Sequence, residues 1–94
     1  MTKKMKDYLD SEVYDLIIDV REVHEYENGH VKGATNIPLG TIDNYEQNKN
    51  KKIAVYCRSG HRSGIACDIL KKKGYTDVTN IGGVIDGSIS LTHD

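Results

Sequence analysis

Cys57 is followed by Arg58-Ser59-Gly60-His61-Arg62, six residues with the make-up of an anion-binding cup that has a nucleophile at its floor. The thiolate is the nucleophilic form of cysteine, and a thiol that titrates near 8.5 when free falls to roughly 3.5–7.5 beside cations or at a helix N-terminus. Arg58 and Arg62 supply forked, permanently charged donors that suit an anionic, oxygen-bearing substrate. Gly60 permits a tight curl, and Ser59 and Ser63 offer hydroxyls to the same ring. His61 falls at the rim, where substrate contact and simple exposure are both open to it. A lone cysteine after a buried strand is usually an inert core residue, but two arginines, a glycine and a helix start within six residues argue against that here. Cys67 takes the inert reading: it sits among Ile65, Ala66 and Ile69 and is expected to lie beyond disulfide reach of Cys57.

The elements that position this loop are legible from apolar patterning. Leu16-Ile17-Ile18-Asp19-Val20 and Ile53-Ala54-Val55-Tyr56 are compact runs expected to be buried strands, and Asp77-Val78-Thr79-Asn80-Ile81 is a third. Ala34-Thr35-Asn36-Ile37 is a short extended piece ended by Pro38 and Gly40. Residues 63–73 predict a helix with Ile65, Ala66, Ile69 and Leu70 as its apolar stripe and Gly74 as its C-terminal stop. Met5, Tyr8 and Leu9 stand at helical spacing. Val23 and Tyr26 do likewise ahead of Gly29, and Ile42 and Tyr45 fit one face of a small helix. Gly82-Gly83 is expected to turn the chain, and residues 84–94 show no period. Strands alternating with helices predict an α/β domain with a central, mostly parallel sheet flanked by helices. Reactive groups in such sheets lie beyond the carboxyl ends of the strands, and Cys57 falls there, directly after Tyr56.

Composition narrows the function classes. Ninety-four residues are expected to form one domain over residues 1–94, with room for one core and one site. A net charge of −1 gives no reason to invoke nucleic acid or an anionic membrane, and the lysines at 49, 51, 52 and 71–73 read as solvated faces. No apolar run approaches the ~18 residues of a membrane span. The basic N-terminal stretch is followed by no apolar signal core, so the expected compartment is the cytoplasm. Two cysteines in a reducing compartment make no disulfide framework. No histidine shows metal-ligand spacing with them, so no metal site is expected. Asp19 and Arg21 beside the first buried strand predict an internal ion pair supporting the loop, and His30 between two glycines predicts a turn-fixing hydrogen bond rather than a base.

Four separated motifs, in order, resemble the rhodanese-like sulfurtransferase domains over nearly all of the chain from Leu16 to Gly83. They are Asp19-Val20-Arg21-Glu22; Gly29-His30-Val31-Lys32-Gly33-Ala34 with Asn36-Ile37-Pro38; Val55 through Ser63 around Cys57; and the Gly82-Gly83 pair. The resemblance implies a single-domain bacterial-type sulfurtransferase. Cys57 would take sulfane sulfur from a small sulfur-containing anion such as thiosulfate, hold it as a persulfide, and pass it to cyanide or a thiol. The loop residues Arg58, Ser59, Gly60, His61 and Arg62 would bind the substrate, and Asp19, Arg21 and Ser63 would support them, with no metal or organic cofactor. A sulfur-relay protein is a further partner the resemblance allows. Four residues separate Cys57 from Arg62, whereas cysteine-based phosphatases and arsenate reductases use Cys-x5-Arg, a wider cup for a tetrahedral oxyanion. A persulfide carrier and a non-catalytic interaction module on the same fold stay open beside the enzyme. Two features depart from the family pattern. Val84-Ile85-Asp86-Gly87 stand where many members carry a tryptophan, and the short segment before Leu16 leaves the usual first edge strand reduced or missing.

Overall fold

The computed structural model describes residues 3–94; Met1 and Thr2, the first residues of the basic N-terminal stretch, lie outside them. The elements are α1 (Met5–Ser11), β1 (Leu16–Asp19), α2 (Val23–Glu27), β2 (Thr35–Asn36), β3 (Lys52–Cys57), α3 (His61–Lys72) and β4 (Asp77–Gly83), with short 3-10 turns over Leu39–Asn44 and Val84–Asp86. All strand pairs are parallel, in the order β2-β1-β3-β4, so the domain is α/β with helices covering a four-stranded sheet.

The pleat of β3 explains where the site faces. Alternate side chains of a strand leave by opposite faces. Ile53, Val55 and Cys57 enter the core shared with Ala66, Cys67 and Leu70 of α3, while Ala54 and Tyr56 enter a second core with Met5, Val31 and Ile81. Each fully buried valine, isoleucine or leucine in these layers contributes about 1.5–3 kcal/mol. Both faces of β3 are therefore dry, and its carboxyl end carries Cys57 to the rim of the sheet.

Several expectations hold and several shift. The helix at Met5, the strand at Leu16, the turn of helix at Val23 and the extended pair at Thr35 stand where the pattern places them. The segment before Leu16 is helical, and no strand precedes β1 among the described residues. Asp86 fixes that helix, accepting the Met5 N–H at 2.9 Å while also holding Ser88. The C-terminal residues are thereby ordered without a tryptophan, and the Thr92 backbone pairs with that of His30. Around Ile42 the chain forms a 3-10 turn that buries Ile42 and stops before Tyr45.

The helix after the loop begins at His61, two residues earlier than its apolar stripe suggests. Its buried face is Ser63, Ala66, Cys67 and Leu70, and Ile65 is 41% exposed. The stripe is rotated because a serine occupies a buried position, which its hydrogen bonds permit. Gly82-Gly83 does not turn the chain. Both residues belong to β4, where Val55 pairs with Asn80 and Cys57 with Gly83. One residue of β3 thus faces two of β4, a bulge that brings the end of β4 under the Cys57 loop.

Candidate active site

Cys57 is the last residue of β3 rather than the first of the loop, and it is only 1% exposed. The chain then curls through Gly60, at φ 99°, into α3. This curl aims amides at the sulfur: the Gly60 N–H donates to Sγ at 3.0 Å and the Ser63 N–H at 3.4 Å, with Ser63 Oγ 3.5 Å away. The Ser63 amide belongs to the first turn of α3, whose unpaired N–H groups and dipole favour negative charge. Burial pushes the Cys57 thiol up. The Ser63 hydroxyl and the N–H groups of Ser63, Gly60 and Ser59 outweigh it, so Cys57 titrates below the ordinary thiol value of 9.0.

Gly83 makes the curl possible. A Cβ there would lie 2.1 Å from the Arg58 carbonyl oxygen and 2.5 Å from the Ser59 nitrogen. The loop rests directly on the backbone of β4, and the contact is fastened by the Ile85 N–H, which donates to the Arg58 carbonyl at 2.9 Å. The double glycine, recognisable in the sequence only as a motif, has two causes: a close approach of two backbones at Gly83 and a left-handed φ of +95° at Gly82.

The two arginines differ. Arg62 gives both guanidinium arms to Glu25 of α2, Nη1 to Oε1 at 2.7 Å and Nη2 to Oε2 at 2.9 Å. The sequence assigns Arg62 to substrate binding; in the structure its fork is occupied by Glu25, and it remains near enough to feel the Cys57 charge. The Arg62 hydrogen bonds hold the Glu25 carboxyl down at about 2 against a partial opposing effect of burial. Arg58 is exposed and joins no ion pair among the described residues. Ser59 and His61 are exposed as well, with His61 on the first turn of α3.

Asp19 and Arg21 form the expected buried pair, 2.7 Å between Oδ2 and Nη2. The Tyr56 hydroxyl donates to the same Oδ2 at 2.8 Å and itself accepts the Val31 N–H, while Arg21 also donates to the Gly29 carbonyl. Burial of Tyr56, with the Asp19 charge adding to it, pushes its phenol up. Such a pair contributes only when the other polar atoms around it are also partnered, and here both Asp19 carboxylate oxygens and Arg21 Nε and Nη2 are hydrogen-bonded. Because Tyr56 and Cys57 leave β3 by opposite faces, this network anchors the strand ends without touching the sulfur. His30 is 3% exposed, stacks on Tyr26 at 3.7 Å and faces the Tyr26 carbonyl with Nδ1 at 2.8 Å, a turn-fixing role as expected.

Two residues near the site carry no chemical pattern in the sequence. Glu25 looks like one acid among several in a charged helix. Asn80 looks like a strand residue, though an asparagine inside a buried strand goes against β propensity and is the one signal that marks it. Asn80 accepts the Ser63 Oγ–H at 2.7 Å and donates to the Gly60 carbonyl at 3.0 Å. Among the described residues no group of three or more His, Cys, Asp or Glu side chains is placed to hold a metal ion, and no helix is long and apolar enough to cross a membrane.

Comparison with known proteins agrees with this arrangement. A family model described as Rhodanese-like domain matches residues 1–91. The chain is 44% identical over 73 residues to the thiosulfate sulfurtransferase PspE of Escherichia coli, covering 73% of this chain and 70% of that one. It is 41% identical over 78 residues to the putative sulfur carrier protein YrkF of Bacillus subtilis, covering 81% of this chain but 42% of the relative. Among solved structures, a rhodanese-like domain protein from Staphylococcus aureus superposes with a TM-score of 0.79 at 30% identity, covering 100% of this chain and 99% of that one. An E. coli rhodanese solved with anions gives 0.75 at 38% identity, covering 84% and 98%. With a family model matched over residues 1–91 and a sulfurtransferase relative 44% identical, the chain belongs to the rhodanese-like domain family.

Proposed function

We propose that this domain is a cytoplasmic sulfurtransferase that carries sulfane sulfur as a persulfide on Cys57. The observation that supports it best is the convergence of the Gly60 and Ser63 amides on one sulfur atom, which favours a thiolate and, after loading, an anionic persulfide. The Cys57 thiolate attacks the outer sulfur of thiosulfate, forming the new S–S bond as the bond to the sulfite group breaks and sulfite leaves with its electron pair. An acceptor nucleophile, cyanide or a thiolate, then attacks the outer sulfur and returns the Cys57 thiolate. Electrons balance without an external oxidant, and the covalent intermediate divides one transfer into two displacements. Arg58, unpaired and exposed at the loop, meets the anionic donor, while Arg62 adds a positive field that Glu25 largely compensates.

The Arg62–Glu25 pair favours a second reading, a carrier loaded by persulfides rather than by thiosulfate, since a cup with one uncompensated guanidinium attracts a dianion weakly. Incubation with thiosulfate followed by intact mass measurement tests the main reading: one added sulfur on the wild type and none on Cys57→Ser is expected. An adduct surviving in Cys57→Ser would overturn it. Loading by glutathione persulfide but not by thiosulfate would select the carrier, and release of phosphate from an aryl phosphate without any adduct would select the phosphatase instead.

A further inference from the structure

Ser63 Oγ stands between two claimants for one proton. It is 2.7 Å from Asn80 Oδ1 and 3.5 Å from Cys57 Sγ, and a serine hydroxyl has a single hydrogen and two lone pairs. The Asn80 amide has only one orientation that satisfies its neighbours. Its Nδ2 donates to the Gly60 carbonyl at 3.0 Å, and its Oδ1 accepts the Gly82 N–H at 3.0 Å. That Gly82 amide lies at the bulge of β4, where the ladder skips a residue. Oδ1 therefore faces Ser63 as an acceptor, the Ser63 proton points to Asn80, and a lone pair faces the sulfur.

This arrangement suits a protonated Cys57, whose S–H finds an acceptor in Oγ. It suits a thiolate less, since the sulfur then keeps the Gly60 and Ser63 N–H donors but lacks the Ser63 hydroxyl proton. When the sulfur becomes anionic, rotation of the hydroxyl adds a third donor, and Asn80 Oδ1 is not orphaned by the loss because it keeps the Gly82 N–H. The hydroxyl is thus a two-position rotor with a defined partner at each end.

We propose that Asn80 is a positioning residue of this site: by competing with the Cys57 sulfur for the one Ser63 proton, it sets how strongly the pocket favours the thiol over the thiolate. The same side chain ties the Gly60 carbonyl, and with it the loop, to β4. The proposal rests on Cys57 being the reactive thiol, as in the function above, but not on any particular sulfur donor. The plainer role, an asparagine that merely plugs the bulge, leaves the Ser63 proton out of account and predicts a different pattern of variants.

The pH dependence of Cys57 alkylation by iodoacetamide, measured in a Cys67→Ala background, separates the two. Ser63→Ala should move the midpoint up, because the thiolate loses a donor. Asn80→Ala should move it down, with about threefold to fivefold more reactive thiol at a pH below the midpoint, the worth of about one hydrogen bond. The Ser63→Ala/Asn80→Ala double variant should have the midpoint of Ser63→Ala alone. Asn80→Asp, which holds the Ser63 proton more firmly and adds negative charge, should move the midpoint up. An Asn80→Ala shift of the same size with and without Ser63, or shifts of the same sign for Ala and Asp, would overturn the proposal. If Asn80→Ala does not fold, Asn80→Asp carries the test: its shift must be larger with Ser63 present than in Ser63→Ala, and equal shifts would refute it. Alkylation reads the thiol alone, so absence of sulfur loading with these shifts intact would count against the proposed transfer and not against the role of Asn80.

Discussion

The two cysteines of this chain share one core on one side of the sheet and nearly the same burial, 1% exposed for Cys57 and 3% for Cys67, yet their chemistry is driven in opposite directions. Cys67 lies mid-helix, where its own turn consumes the amides around it. Burial alone dominates and pushes its thiol up to about 11. Cys57 lies where a strand has ended and a helix is beginning, and the amides that neither element uses point at its sulfur. Burial by itself makes a thiol inert; burial among unspent N–H donors makes it a nucleophile. What separates the two residues is the supply of donors, and accessible area contributes little to the difference.

That contrast can be broken first at the sulfur. Cys57→Ser should abolish sulfur loading from thiosulfate, whereas Cys67→Ala should leave it intact, both read by intact mass. The next largest effect belongs to Gly83→Ala. Its Cβ collides with the Arg58 carbonyl, so the loop must lift off β4 and the amides lose their aim. A displacement of about 1 Å costs on the order of 100-fold in rate, so iodoacetamide should show Cys57 behaving more like Cys67, with a cost of about 1–3 kcal/mol in denaturant stability from overpacking.

The pH dependence of stability should carry opposite signs for the two thiols. An acid whose folded value is depressed stabilises the fold above its unfolded value and loses that contribution as pH falls through the folded one. Cys57 should therefore make the domain more stable as pH rises toward 9.0. Cys67, raised to about 11, contributes fully below about 9 and should lose its contribution as pH climbs from there to about 11. Urea titrations across pH 6–11 would show the first slope vanish in Cys57→Ser and the second in Cys67→Ala. The smallest effect is packing at Cys67 itself. Cys67→Ala should cost about 1 kcal/mol from a small cavity, and Cys67→Ser should cost more, about 1–3 kcal/mol, by burying a hydroxyl.

Most of the scaffold was readable because it is periodic. Runs such as Ile53-Ala54-Val55-Tyr56 announce a strand dry on both faces, and glycine spacing marks the ends of the helices. Cys57 was readable for a different reason, a local cluster of charge and glycine at a strand end. The sequence could not show what β4 does to that loop, because the contact of Gly83 with Arg58 and the reach of Asn80 to Gly60 join residues twenty or more positions apart. It also could not show that Arg62 is already partnered. The Glu25 that holds it lies 37 residues away, and nothing in either local pattern pairs them. Ile65 misled for a simpler reason: apolar spacing assigned it to the core, but a hydrogen-bonded serine occupies the position that faces inward.

β4 is the last strand in the order β2-β1-β3-β4, with a neighbour on one side only. The Gly83 platform on which the Cys57 loop rests is therefore mounted on an edge strand. Local opening costs less than global unfolding, so warming should blunt the thiol before the whole sheet melts. Reactivity in this domain is then a margin, expected to be lost ahead of the fold itself.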